Sequence, residues 1–264
     1  LTVYRIHMTH LQDIHKGSSI AAGICRNSES TLGFALNEIK SYCHEIVSNM
    51  NAEFYWKKSI GINELIPDLN SDKKCFISPD GGLFFVKIDT KSYCFMIVED
   101  KYQGTNDVRK SKDLPKQSTG NAIERVFKNL NASWHLFKDL PICPYLVFVA
   151  GCDFHHTETI IDRIGPISNY GRNPIIWEMK DDNVFDPNEM ISKINLKKDM
   201  MREFATFCVK THKYDQFSHG SSMWRCDERL TIMKHVAYES LKGIVAFHNR
   251  YERVCAPAYD NLHR

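Results

Sequence analysis

Apolar residues recur along this chain in two alternating rhythms, one helical and one extended. From about Thr31 to Met50, Leu32, Ala35, Leu36, Ile39, Cys43, Ile46, Val47 and Met50 follow the spacing of one helix face, with Ser30 or Thr31 as cap. Residues 58–74, with Gly61, Pro67 and several Asn and Asp, read as a loop. Leu83–Ile88 and Tyr93–Val98 are short apolar runs on either side of the turn Asp89-Thr90-Lys91-Ser92, which predicts a β-hairpin. Ala122, Ile123, Val126, Phe127, Leu130 and Trp134 then share one helical face, with Asn121 expected as N-cap. Tyr145–Ala150 is continuously apolar, the mark of a central strand. Asp186-Pro187 resembles a cap followed by a first helical proline, so residues 187–210 are expected to be mostly helical. A last helix is predicted near 228–247, with Leu230, Met233, Ala237, Leu241, Ile244 and Val245 inward. Two strands, a helix, a strand and flanking helices predict an α/β fold with a mixed central β-sheet. No repeat or composition break divides residues 1–264, so one domain is expected.

Bulk composition narrows the picture mainly by exclusion. The 264 residues carry a net charge of only +2, so overall charge does not announce a nucleic-acid binder. The nine cysteines are scattered, with no Cys-x2-Cys pair, which argues against a zinc ribbon and against a disulfide framework. That usage points to a reducing, cytoplasmic setting. The longest apolar run is too short to cross a bilayer, and the N-terminal residues lack a signal-peptide core. The chain begins with Leu1 rather than Met, which points to a start that is missing or modified.

The chemistry concentrates around the hairpin. Ser78-Pro79-Asp80-Gly81-Gly82 precedes its first strand, and Glu99-Asp100-Lys101 ends its second. Pairing Ile88 with Tyr93 across the turn sets Asp80 opposite Lys101, with Glu99 one diagonal step away. A bulge at Gly81-Gly82 would shift this by one residue. Glu99 and Lys101 share a strand face because side chains alternate. Two carboxylates are suited to Mg²⁺, which neutralises charge on a phosphodiester and acidifies a bound water. A lysine beside them stabilises developing negative charge. The plainer reading is a solvated strand end with an ion pair, for acid-x-Lys also occurs at Asp72, Asp89 and Glu178. Some twenty residues on, Gly120-Asn121-Ala122-Ile123-Glu124-Arg125 opens the predicted helix over 120–137. Asn, Glu and Arg at a helix N-terminus are the side chains that read base edges in a major groove.

These segments, in this order, resemble the EcoRI family of type II restriction endonucleases. The match includes Pro79-Asp80-Gly81-Gly82, Glu99-Asp100-Lys101 continued by Gln103-Gly104, the hexapeptide Gly120–Arg125 with Lys128-Asn129, and Pro144–Phe148 with Gly151. It extends to Ile161–Ile164 and Asn169-Tyr170-Gly171 and is best over about residues 75–175. The resemblance implies a PD-(D/E)xK nuclease core, acting as a homodimer on double-stranded DNA. It implies Mg²⁺-dependent cutting that leaves 5′-phosphates. Carried over by position, Asp80 and Glu99 hold the metal and Lys101 assists the attacking water. Asn121, Glu124 and Arg125 contact the inner AATT bases, and Arg163 supports them. Residues 102–119 become a DNA-wrapping arm, with Arg109, Lys110, Lys112 and Lys116 toward phosphates. A matching DNA methyltransferase is implied in the same host.

Departures from the family pattern are equally informative. Gln117-Ser118-Thr119 differs from the family stretch that helps read the outer base pair, which leaves GAATTC as first expectation and CAATTG as the next. Ile160 stands where a second arginine is found beside the one matched by Arg163. Asp100 replaces a small or apolar residue; its carboxylate should point away from Glu99 and Lys101 and needs a partner there. Two other functions fit less well: a non-cleaving sequence-specific binder, which has no use for the acid–acid–lysine set, and a structure-selective repair nuclease, which has none for the hexapeptide.

Overall fold

The computed structural model describes residues 29–61, 76–102, 112–115, 119–137, 140, 145–151, 175–179, 188–189, 192, 206–210 and 224–255. Helices α1 (Glu29–Tyr42) and α2 (His44–Val47) lead into β1 (Ala52–Lys57). Short strands β2 (Ile60–Gly61) and β3 (Phe76–Ile77) form a two-stranded ribbon of their own. The main elements follow as β4 (Leu83–Ile88), β5 (Lys91–Tyr102), α3 (Thr119–Leu136), β6 (Tyr145–Ala150), β7 (Ile175–Met179), β8 (Thr206–Lys210) and α4 (Cys226–Cys255).

Six strands make one mixed sheet in the order β1-β4-β5-β6-β8-β7. The β1–β4 and β4–β5 pairs are antiparallel, whereas β5–β6, β6–β8 and β8–β7 are parallel. Parallel neighbours require a crossover, and α3 lies between β5 and β6 in the chain. The expected α/β class with a mixed central sheet is therefore the observed one. The apolar run Tyr145–Ala150 is central, fully buried between β5 and β8.

Each face of the sheet has its own core. On one face Leu32, Ala35 and Ile39 of α1 and Ile232, Met233, Val236, Leu241 and Ile244 of α4 meet Phe84, Val86, Phe95, Val98, Leu146 and Phe148. On the other, Ile123, Val126 and Leu130 of α3 meet Leu83, Phe85, Ile97, Tyr145, Val147 and Val149. Helices on both faces explain why the central strands are apolar without alternation.

Several local expectations are corrected. The hairpin turn has two residues, Asp89 and Thr90, and Ile88 pairs with Lys91 rather than Tyr93. Asp89 adopts φ 53°, which lets so short a turn close. The first helix breaks after Tyr42 and ends at Val47. Helix α3 starts at Thr119, so Asn121 lies inside the helix and is not its cap. Thr206–Lys210, expected to be helical, is strand β8: Phe207 and Val209 pack on the α3 side while Cys208 packs on the α4 side, the period of two that a strand requires. Ile60–Gly61, read as part of a loop, is strand β2, paired with β3, and strands β1 and β7 carried no expectation of their own.

One irregularity decides which way the site faces. The β4–β5 register shifts between Phe84 and Phe85: Phe84 pairs with Met96 and Phe85 with Cys94, so Phe95 is an extra residue in β5. Phe95 and Met96 consequently both point into the α1–α4 core. Every residue after them changes face relative to an unbroken strand. The bulge is held from α4, where the buried Ser240 hydroxyl donates to the Phe95 carbonyl at 2.5 Å. Ser240→Ala leaves that buried carbonyl without this donor and is expected to destabilise the protein by about 1–3 kcal/mol in chemical denaturation.

Candidate active site

Two bulges set the face of the sheet on which the charged groups meet. Gly81 N–H donates to the Val98 carbonyl (2.8 Å) and Val98 N–H donates to the Gly82 carbonyl (3.0 Å), so Gly81 and Gly82 both oppose one residue. The Gly82 N–H also donates to the Pro79 carbonyl (3.1 Å), closing a turn over Asp80. Gly82 has φ 81°, a conformation glycine takes without strain. The Phe95 bulge turns Glu99 and Lys101 to the α3 side of the sheet. The glycine bulge adds a second one-residue step and turns Asp80 to that same side. Two single steps restore the parity that an uninterrupted hairpin would have had.

Lys101 sits between the two acids. Its Nζ lies 2.5 Å from Asp80 Oδ2 and also pairs with Glu99 Oε1. Glu99 is 1% exposed, Lys101 14% and Asp80 55%, so the cluster runs from the protein interior to solvent. Asn129, on α3, donates Nδ2 to both Glu99 oxygens (3.3 and 3.4 Å), and the Tyr145 hydroxyl donates to Glu99 Oε2 (3.4 Å). Burial pushes the Glu99 carboxyl above its usual range; Lys101 opposes this, Asp80 adds to it and Asn129 lessens it. Burial works against the Lys101 ammonium, but Glu99 and Asp80 outweigh it and hold its pKa above the ordinary lysine value.

The donor set suits a small hard cation. The Lys101 ammonium already serves as a stand-in: one positive centre touches both carboxylates, so Asp80 and Glu99 are close enough to share an ion. The buried Glu99 carboxylate gains from any charge that replaces the ammonium. Among the described residues no cluster of three or more His, Cys, Asp or Glu is arranged as a metal cage. Two carboxylates with open positions match the habit of Mg²⁺, which retains waters and takes further oxygens from a phosphate.

Comparison with known proteins bears on the family of the chain. The model of the family described as restriction endonuclease EcoRI matches residues 51–248. The chain belongs to the EcoRI restriction endonuclease family. The type II restriction enzyme EcoRI of Escherichia coli is 26% identical over 165 residues, which span 54% of this chain and 60% of that enzyme. The type II restriction enzyme RsrI of Cereibacter sphaeroides is 26% identical over 185 residues, 64% of each chain. The chain thus spans less than two thirds of the length of these relatives.

In this EcoRI-family chain the hexapeptide lies in the first turns of α3. Gly120 is buried, whereas Asn121, Glu124 and Arg125 are exposed. Positions 121, 124 and 125 share one helix face by their spacing. Asn129 follows Arg125 by one further turn, so the helix that presents these side chains also touches Glu99. Thr119 opens the helix; Gln117, Ser118 and Arg163 lie outside the described residues, as does most of the basic segment around Lys112. No described helix is long and apolar enough to cross a membrane.

Three residues around the site were not expected from the sequence. Asn129 flanks the apolar stripe beside Leu130, a position open to a buried polar contact. Tyr145 reads as a core aromatic, and its hydroxyl gives no signal until β6 is paired with β5. Arg229 precedes Ile232 and Met233 by three and four residues, which puts it in the inward stripe of α4, and that interruption was readable. It is the partner that Asp100 required: Arg229 Nη1 donates to Asp100 Oδ2 (2.8 Å) and Nη2 to Oδ1 (3.1 Å).

Proposed function

We propose that this protein is a type II restriction endonuclease that hydrolyses both strands of a palindromic DNA duplex containing AATT, with Mg²⁺ as cofactor. The observation that carries the reading is the junction of Asp80, Glu99 and Lys101 on the sheet face covered by α3, the helix bearing Asn121, Glu124 and Arg125. A group that cuts phosphodiesters and a group that reads bases then sit on one surface.

Asp80 and Glu99 would hold the metal, with the Asp100 carbonyl as a further oxygen. The chemistry supplied with Mg²⁺ bound is neutralisation of phosphate charge and acidification of a water. Lys101, displaced from between the carboxylates, turns its ammonium to the attacking water and the non-bridging oxygen, where negative charge builds. Asn129 and Tyr145 keep the Glu99 carboxylate in one orientation. Asn121 pairs with adenine, Arg125 with purine acceptors, and Glu124 with base amino groups. Arg163 supports this readout, and Gln117, Ser118 and Thr119 choose the outer base pair, GAATTC first and CAATTG next. Products carry 5′-phosphates.

A twofold-symmetric target calls for a homodimer, one site per strand. The enzyme works in the cytoplasm, paired in the host with a DNA methyltransferase that protects the same site. Incubation of a sequenced plasmid with protein and Mg²⁺, followed by mapping of the ends, tests the proposal. Discrete cuts within AATT-containing palindromes are expected; duplex binding without cutting under any divalent metal, or cuts unrelated to AATT, would sink it. Arg125→Ala is expected to weaken binding to the specific duplex in Ca²⁺ by about 1–3 kcal/mol, roughly 5- to 150-fold, in gel-shift titration.

A further inference from the structure

The residue between the acid and the lysine faces the far side of the sheet, and its surroundings there are built. Asp100 is 9% exposed and Arg229 is fully buried. The guanidinium meets the carboxylate with two parallel N–H groups, at 2.8 and 3.1 Å. Its carbon also lies 5.2 Å from the centre of the Phe148 ring, on β6. Phe148 is met as well by Trp224, ring centres 5.5 Å apart, whose indole N–H donates to the Val149 carbonyl at 3.1 Å. Arg229 itself lies in the first turn of α4, where Glu228 Oε2 accepts the Arg225 backbone N–H (2.8 Å) and the Arg229 N–H donates to the Arg225 carbonyl (3.1 Å). The N-terminus of α4 is thereby fastened to the last residues of β5 and β6.

We infer that Arg229 is a positioning residue for the Glu99-Asp100-Lys101 segment: by gripping Asp100 from the α4 side it sets the rotation of the strand end, and so the aim of the two functional side chains and of the Asp100 carbonyl on the α3 side. The inference rests on the metal-site reading proposed above. A planar fork bound at two points resists rotation about the strand axis, which a single hydrogen bond or a lysine does not. Strand alternation converts that resistance directly into the direction of Glu99 and Lys101. The pair also cancels the Asp100 charge, so that a third carboxylate does not pull the cation or the ammonium out of register.

The test uses two variants. Arg229→Met/Asp100→Leu replaces the buried pair by apolar groups, an exchange that folded proteins often accept. Arg229→Lys keeps the charge and loses the fork. Each is measured for melting temperature, for the Ca²⁺ concentration giving half of the cation-induced melting shift, for duplex binding, and for the Mg²⁺ concentration giving half-maximal cutting. The double variant is expected to fold, to bind duplex as the wild type does, and to need about 10-fold or more of either cation. Arg229→Lys is expected to fall between it and the wild type, and it supplies the reading if the double variant does not fold. Folded variants with wild-type cation midpoints would overturn the inference, because a merely supporting arginine lowers the melting temperature and leaves those midpoints in place. A wild-type protein that neither responds to Ca²⁺ nor cuts would overturn the underlying site reading instead.

Discussion

Glu99→Gln is expected to reduce Mg²⁺-dependent cutting by about 10²–10³-fold or more while making the cation-free protein harder to melt. Both effects come from one buried charge. Glu99 is 1% exposed, and burial raises its carboxyl above the usual range despite the Lys101 ammonium beside it. A carboxyl whose folded value lies above its unfolded one contributes stability at low pH. That contribution is lost as pH rises from the ordinary carboxylate value through the raised one. Above that raised value the wild-type protein has lost it, and the amide variant has nothing to lose. The variant keeps an acceptor for Asn129 and Tyr145, and Lys101 keeps Asp80. The difference in melting temperature between variant and wild type should grow as pH rises from the ordinary carboxylate value. Added Ca²⁺ should close the gap by stabilising the wild type alone. A variant that melts below the wild type at every pH, or that still cuts at the wild-type rate, contradicts the assigned role.

Gly81→Ala should be as damaging to cutting as loss of Asp80 itself, although it removes no functional group. A Cβ at this position would lie 2.5 Å from Val98 Cγ1, 2.7 Å from Val98 Cβ and 2.8 Å from the Val98 carbonyl oxygen. That oxygen accepts the Gly81 N–H, so it cannot yield without opening the bulge. Overpacking of this kind costs roughly 1–3 kcal/mol, on the order of several degrees of melting temperature. The larger consequence is directional. If the bulge relaxes, Asp80 swings off the face that carries Glu99 and Lys101. The expected signature is a folded protein with cutting reduced about as far as in Asp80→Ala, and with a Ca²⁺ melting response weakened to match. Wild-type cutting by a folded Gly81→Ala protein would show that the turn does not aim Asp80.

The contrast between these residues marks where sequence information stops. Asp80, Glu99 and Lys101 were legible because their chemistry is carried by residue type, and because Glu99 and Lys101 are two positions apart on one strand. The apolar stripe Ile123, Val126 and Leu130 was legible because it repeats at helical spacing within a few turns. The hexapeptide and its order relative to the acids pointed to the family that the wider comparison then showed. Strand β8 was hidden, since five residues with two inward aromatic and aliphatic side chains also suit a helix until neighbouring strands are in place.

What the sequence determined by itself, then, was the set of groups, the helix faces and the α/β class, all properties of residues near one another along the chain. The tertiary structure alone decided the aim. In the uninterrupted apolar run Tyr93–Val98 no alternation records which residue is extra; the hydroxyl of Ser240, 145 positions away, stabilises the bulge at Phe95 and thereby selects the side on which Glu99 emerges. Likewise Asp100 announces a need for a cation, but only the packing of α4 against β5 supplies Arg229, from 129 residues further along. Such choices depend on contacts whose chain separation a local pattern cannot encode.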